Sequence, residues 1–210
     1  MQPQDNTPPW GIDEPATPPP VTPGQASTLD SFHPYLVLED LLLAAGRPPW
    51  DLLLIGDGSG TDIDHPAGWA VVSIERQTGS RHVQLGSYSN ATVNYVEADC
   101  YLHALRYDLY RRMGGKLKVQ RRVVIFSDSQ VTVNTGNGLY RQSYHPELWC
   151  MYDFFRKIGY QITFYSIPRE THPLHQIMDK LSRSCRTTSI ETAAATELVN
   201  ALMPRTDSNV

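Results

Sequence analysis

The order in which short apolar runs meet acidic residues constrains this chain more than any other feature. Leu52-Leu53-Leu54-Ile55 passes straight into Gly56-Asp57-Gly58-Ser59-Gly60, and Val123-Val124-Ile125-Phe126 passes straight into Ser127-Asp128-Ser129-Gln130. Four apolar residues without alternation read as a strand buried on both faces, and the Gly- and Ser-rich segments that follow read as turns. Between these two strands lie Gly68–Ile74 and Arg81–Tyr88, joined by a hairpin turn at Gln77-Thr78-Gly79-Ser80. A long helix over Asn90–Met113 comes next, ended by Gly114-Gly115. After the second acid-tipped strand come a helix over Glu147–Ile158 closed by Gly159, and a strand over Tyr160–Ile167 stopped by Pro168. A last helix starts near Pro173 and carries Asp179, and a weaker helical stretch runs through Ala193–Ala195 to Leu202. The predicted order βββαβαβα combines a meander with crossover connections. It predicts an α/β domain with a mixed five-stranded sheet, three antiparallel strands then parallel additions, flanked by helices.

Composition restricts that domain to part of the 210 residues. Eight of the 16 prolines lie in residues 1–23, where almost nothing apolar could offset the entropy of folding. Residues 1–32 are therefore predicted to be a disordered Pro-rich tail, and 33–49 a short helix and linker. Residues 50–190 form the folded domain and 191–210 a helical extension and tail. Residues 1–50 carry a net charge of −5 and the whole chain −4, which leaves the remainder close to neutral. Bulk attraction to a polyanion is thereby excluded, so a nucleic acid would have to be gripped locally or through metal ions. Cys100, Cys150 and Cys185 are widely spaced, without CxxC or zinc-type spacing. An odd cysteine count and no secretory or membrane-spanning pattern predict a reducing, cytoplasmic setting with no membrane partner. A monomer is expected, with residues 1–46 available to a protein partner.

Four acids occupy positions an ordinary core would not give them. Asp57 and Asp128 end strands whose C-terminal edges converge if the two are adjacent and parallel, which is where α/β sheets bind ligands. Glu97 lies in the first two turns of the long helix and Asp179 early in the last one. Taken singly, each acid is accounted for as a cap or turn former. Gathered at one edge they would repel and require a counter-charge. Oxygen-only ligands without cysteine or histidine suit Mg²⁺ or Mn²⁺ rather than zinc.

With these residues in view, the chain resembles the type 1 ribonuclease H family. The matching pieces are Asp57-Gly58-Ser59, Asn94-x-x-Glu97 followed by Leu102, Ala104 and Leu105, and Ser127-Asp128-Ser129-Gln130. Leu148-Trp149 and His172-Pro173 leading to Asp179-x-Leu181 complete an ordered set across roughly residues 51–186. The resemblance implies a ribonuclease H-like fold and a two-metal-ion endonuclease that hydrolyses the RNA strand of RNA–DNA hybrids. It also implies two Mg²⁺ or Mn²⁺ ions held by Asp57, Glu97, Asp128 and Asp179, the catalytic acids. Gly58, Ser59, Asn94, Ser129 and Gln130 would face the substrate, with Asn94 and Gln130 at positions that read 2′-hydroxyls across the minor groove.

The chain departs from the family pattern in two respects. Arg169 stands where the family has a mobile histidine ten residues before the last-helix aspartate, His172 matches a second and less essential histidine, and His175 replaces an asparagine. All three are expected to be auxiliary. The basic handle many members insert before the Leu-Trp helix is missing, since Arg141 is the sole cation in 131–147. The real basic cluster is Arg111, Arg112, Lys116, Lys118, Arg121 and Arg122. Arg111 is 14 residues beyond Glu97, about 21 Å along a helix, so a solvated end or a remote duplex contact is expected there. Against a proofreading-type exonuclease, Ser59 stands where a second acid would be needed; against a transposase or integrase, Glu97 is present and the last acid is Asp179. A non-catalytic ribonuclease H-like binding or assembly module is the alternative from another class.

Overall fold

The register of two parallel strands decides where the acids go. In the computed structural model, which describes residues 38–61, 64–112, 120–168, 172–187 and 192–202, β1 (Leu52–Ser59) is buried along its full length. It pairs in parallel with β4 (Arg121–Ser127), from Leu52 opposite Val123 to Ile55 opposite Phe126. On its other side β1 pairs antiparallel with β2 (Ala67–Glu75), and β2 pairs antiparallel with β3 (Arg81–Tyr88). Strand β5 (Tyr160–Ser166) adds in parallel outside β4, so the sheet order is β3-β2-β1-β4-β5. This is the mixed five-stranded sheet expected from the element order.

Side chains alternate across the sheet, because successive residues of a strand point to opposite faces. Leu52, Leu54, Val123 and Ile125 face one core with α2 (Val93–Arg112), α3 (Gln130–Gly136) and α4 (Pro146–Lys157). Leu53, Ile55, Val124 and Phe126 face a second core with α1 (Leu38–Ala44), α5 (Pro173–Cys185) and α6 (Thr192–Leu202). Each such side chain, once buried, contributes about 1.5–3 kcal/mol. The four-residue apolar runs are thus central strands with a core on both sides.

Two expectations need correction. Gly56–Ser59 is not a turn after the first strand. The segment stays in β1, with Gly56, Asp57, Gly58 and Ser59 opposite Val71, Ala70, Trp69 and Gly68. Only the parallel pairing with β4 stops at Ile55. The second correction is α3, which the sequence reading passed over. Ser129 caps it by accepting from the Thr132 amide at 3.3 Å. Asn137 then ties its far end to β5, donating to the Phe164 carbonyl at 2.8 Å and accepting from the Phe164 amide at 3.1 Å.

The expected tail at 1–32, and Arg169, Lys116 and Lys118, lie outside the described residues. Among the described residues no helix is long and apolar enough to cross a membrane.

Candidate active site

Asp57 lies two residues beyond Ile55, and Asp128 two residues beyond Phe126. Because Ile55 and Phe126 are paired, period-two alternation carries both aspartates to one level and one face, just where β1 and β4 part. The Tyr101 hydroxyl of α2 marks that parting, 2.9 Å from the Gly56 carbonyl and 3.0 Å from the Phe126 carbonyl. It serves as donor to acceptors that the diverging strands no longer offer each other. The face in question belongs to α5. His175, Asp179 and Ser182 are spaced i, i+4, i+7 on that helix and so form one stripe above the two aspartates.

Two glycines let the flanking helices come close enough. A Cβ on Gly68 would stand 2.0 Å from the Ser182 carbonyl oxygen, so only glycine lets α5 settle on β2. From there Ser182 Oγ donates to Asp57 Oδ2 at 2.6 Å and also lies 2.9 Å from the Asp179 carbonyl. A Cβ on Gly58 would stand 2.5 Å from the Glu97 amide nitrogen and 2.9 Å from its Cγ. Glu97, itself buried, therefore packs against β1 at the residue after Asp57, on the face opposite that aspartate.

The innermost group consists of Asp57, Asp128 and His175, each offering a ligand atom within 4.8 Å of the others. His175 Nε2 is 3.3 Å from Asp128 Oδ1 and 3.6 Å from Asp57 Oδ1. Alignment is poor: neither Asp57 Oδ1 nor His175 Nε2 has a hydrogen-bond partner, although both are buried. Burial, reinforced by the charges of Asp128 and Asp179, pushes Asp57 up to about 6 despite the opposing Ser182 bond and His175 charge. For His175 burial works against the charged form, but Asp128, Asp57 and Asp179 together outweigh it and hold the ring above the usual histidine value. Asp179 stands outside the triangle at the rim, its side chain 26% exposed and paired with Arg183 at 2.9 Å. Glu97 is also outside it.

The other candidate residues are placed as follows. Gly58 and Ser59 are buried in β1. Asn94 is half-buried in the first turn of α2, while Gln130 is exposed and donates to Ser166. Ser129 is the α3 cap. His172 caps α5, its Nδ1 accepting from the Leu174 amide at 3.3 Å. Ser182 and Tyr101 escaped the sequence reading. A helical position seven residues beyond His175 would have drawn attention to the first, and nothing in the sequence marks the second.

The His172 cap carries a pH signature. Burial, aided by the neighbouring His175 charge, pushes it down to about 4 from the usual 6.5. The folded chain thus holds this ring neutral, whereas the unfolded chain protonates it as pH falls through 6.5. Its contribution to stability is full above that value and is lost as pH falls toward 4. Asn is an equally good cap without a titrating ring. Thermal melts of His172→Asn are expected to lose less stability between pH 7 and pH 4.5 than wild type; equal losses would refute this account.

The donor set fits divalent cations. Two carboxylates and a buried imidazole in ion-pair contact with both converge, with Asp179 at the rim, and the repulsion among the acids is only partly offset by His175. No protein-family model matches the chain, and no curated protein matches it. Solved structures do. The chain is similar to LC11-RNase H1, isolated from compost by a metagenomic approach, at 22% identity and a TM-score of 0.51 over 66% of this chain and 96% of that one. The same enzyme in complex with an RNA/DNA hybrid matches at 24% identity and 0.50, over 64% and 96%. A foamy viral protease–reverse transcriptase in complex with an RNA/DNA hybrid matches at 16% identity and 0.51, over 67% of this chain and 20% of that one. The mixed five-stranded sheet with helices on both faces agrees with this likeness: the chain has the ribonuclease H-like fold.

Proposed function

We propose that this protein is a divalent-metal-dependent endonuclease that hydrolyses the RNA strand of RNA–DNA hybrids. The observation that carries the reading is the placement of Asp57 and Asp128 at one level beyond the end of a parallel strand pair, under a helix that adds Asp179. Asp57, Glu97, Asp128 and Asp179 would hold two ions. Bound there, such ions supply an activated water and stabilise the leaving oxygen of an in-line displacement.

The chain's own residues do the positioning. Ser182 fixes the Asp57 carboxylate by donating to Oδ2, which leaves Oδ1 directed into the cluster. Tyr101 holds β1 and β4 apart at the required level. Gln130, exposed beside Asp128, offers an amide that donates and accepts, the kind of group able to read a 2′-hydroxyl. Asn94, half-buried at the start of α2, would serve the same task. Both the LC11 and foamy viral neighbours are in complexes with RNA/DNA hybrids, which supports this choice of substrate.

His175, lodged against both central aspartates, favours one second reading: a module of the same fold in which an imidazolium stands where metal would be, and which binds without cutting. One assay separates the two. End-labelled RNA–DNA hybrid, DNA duplex and RNA duplex are each incubated with the full chain and Mg²⁺ or Mn²⁺. The expected result is cleavage confined to the RNA of the hybrid and lost in Asp57→Asn. An intact hybrid with both ions would overturn the nuclease reading.

A further inference from the structure

We infer that His175 Nε2 is itself a metal ligand, beside Asp57 and Asp128, and that it tilts the site toward Mn²⁺ over Mg²⁺. The inference rests on the reading of the cluster as a divalent-metal site and adds a residue and a selectivity to it.

Three observations converge on the ring. Its side chain is 2% exposed, yet Nε2 makes no well-aligned hydrogen bond, only ion-pair contacts with the two carboxylates. Leaving a buried polar atom unsatisfied costs about 1–3 kcal/mol, so one that persists in a packed site calls for a partner. That atom is also directed at two carboxylates rather than at a cap or a carbonyl, and Asp57 Oδ1, opposite it, is likewise unsatisfied. One cation would satisfy both. Finally, the spacings suit it. Around an ion with bonds of about 2.1 Å, neighbouring ligand atoms are about 3.0 Å apart and opposite ones about 4.2 Å. Nε2 lies 3.3 and 3.6 Å from the two carboxylate oxygens. These separations fall between the two limits, within small side-chain adjustments of adjacent positions in a single shell.

Ligand chemistry then sets the preference. Mg²⁺ takes oxygen ligands and keeps several waters, whereas imidazole suits the d-block ions. A site made only of carboxylates discriminates weakly between Mg²⁺ and Mn²⁺. The ion takes the place of the Nε2 proton, which leaves to solvent, and the neutral nitrogen among the oxygens then strengthens the bond to Mn²⁺ and adds little for Mg²⁺. Helix α5 makes the ligand rigid, because Leu174, Ile177 and Met178 around it are fully buried. It has little freedom to swing aside when an ion enters.

The test uses the full chain and Mn²⁺ as the probe, without nucleic acid. Pulsed electron paramagnetic resonance of bound Mn²⁺ reports a directly bonded imidazole nitrogen, and uniform ¹⁵N-histidine labelling confirms its source. Wild type is expected to show that coupling and His175→Asn to lose it. Titration calorimetry should show Mn²⁺ affinity falling about tenfold or more in His175→Asn, with Mg²⁺ affinity changed far less. His175→Gln, of closer volume, guards against a folding defect, and circular dichroism checks both variants. Mn²⁺ that binds, is lost in Asp57→Asn and shows no nitrogen coupling would overturn the His175 assignment while leaving the metal site standing. So would unchanged or tighter Mn²⁺ binding in His175→Asn, the mark of a ring that only competes with the ion. Absence of any Mn²⁺ binding dependent on Asp57 would overturn both.

Discussion

Asp128→Asn is expected to be inactive against an RNA–DNA hybrid with either Mg²⁺ or Mn²⁺, whereas Asp179→Asn is expected to recover measurable cleavage in Mn²⁺. The difference follows from how each carboxylate is held. Asp128 directly follows β4, a strand buried in the middle of the sheet, and its side chain is 6% exposed against His175. It has neither room nor alternatives, so neutralising it removes a fixed central charge. The loss is at least about 3 kcal/mol of transition-state stabilisation, more than a hundredfold in rate. Asp179 sits one helical turn beyond His175, 26% exposed and already paired with Arg183. An amide there still offers an oxygen, and a water can take over at an open rim. Mn²⁺ tolerates the poorer shell better than Mg²⁺, which demands near-ideal geometry. Single-turnover cleavage with both ions measures the ranking. Equal and complete loss in both variants under Mn²⁺ would contradict it.

The same residues show what a sequence can and cannot disclose. The central strands were legible because two-sided burial leaves an unbroken apolar signature in Leu52–Ile55 and Val123–Phe126. The crossover connections called for a parallel pairing without saying which strands share it, so the meeting of Asp57 and Asp128 stayed conditional until β1 and β4 were seen side by side. The Gly-rich segment misled because Gly56 and Gly58 are not there to turn the chain; they make room for α2 while the backbone stays extended. Helix α3 was invisible for a related reason. Its residues Val131, Thr132, Val133 and Thr135 are β-branched and prefer strands. What holds it is the Ser129 cap and the Asn137 bridge to β5, and the second partner lies 27 residues away. His175 was noticed only as an odd residue at its position. Its place between two aspartates depends on α5 settling against Gly68, which no local pattern predicts.

The basic cluster is where the sequence reading needs its largest correction, and it yields the largest expected effect on stability. A solvated end was expected, but Arg121 is 6% exposed. Its Nη2 donates to Asp108 Oδ1 at 2.7 Å and to Glu75 Oε1 at 3.3 Å. Arg112 donates to the same two acids, through Nε to Asp108 at 3.2 Å and through Nη2 to Glu75 at 2.7 Å. Tyr160 completes the group by donating to Asp108 Oδ2 at 2.9 Å. Two acids from α2 and β2 are thus held by two arginines and a phenol, which pins the far end of the sheet to its long helix. Arg121→Ala would leave the buried Asp108 and the half-buried Glu75 with Arg112 as their remaining cation among the described residues. Breaking a buried ion pair from one side costs about 3–5 kcal/mol; since Arg112 remains, the lower end of that range is expected in urea unfolding. Adjacent Arg122 provides the contrast. It pairs with Asp51 at 2.7 Å but is 43% exposed, and Arg122→Ala should leave the unfolding midpoint close to wild type. If the two neighbouring variants unfold alike, the network is not buried in solution and the solvated reading returns. If they separate as expected, Arg112 and Arg121 are committed to holding β4 against α2 and are not available to grip a polyanion.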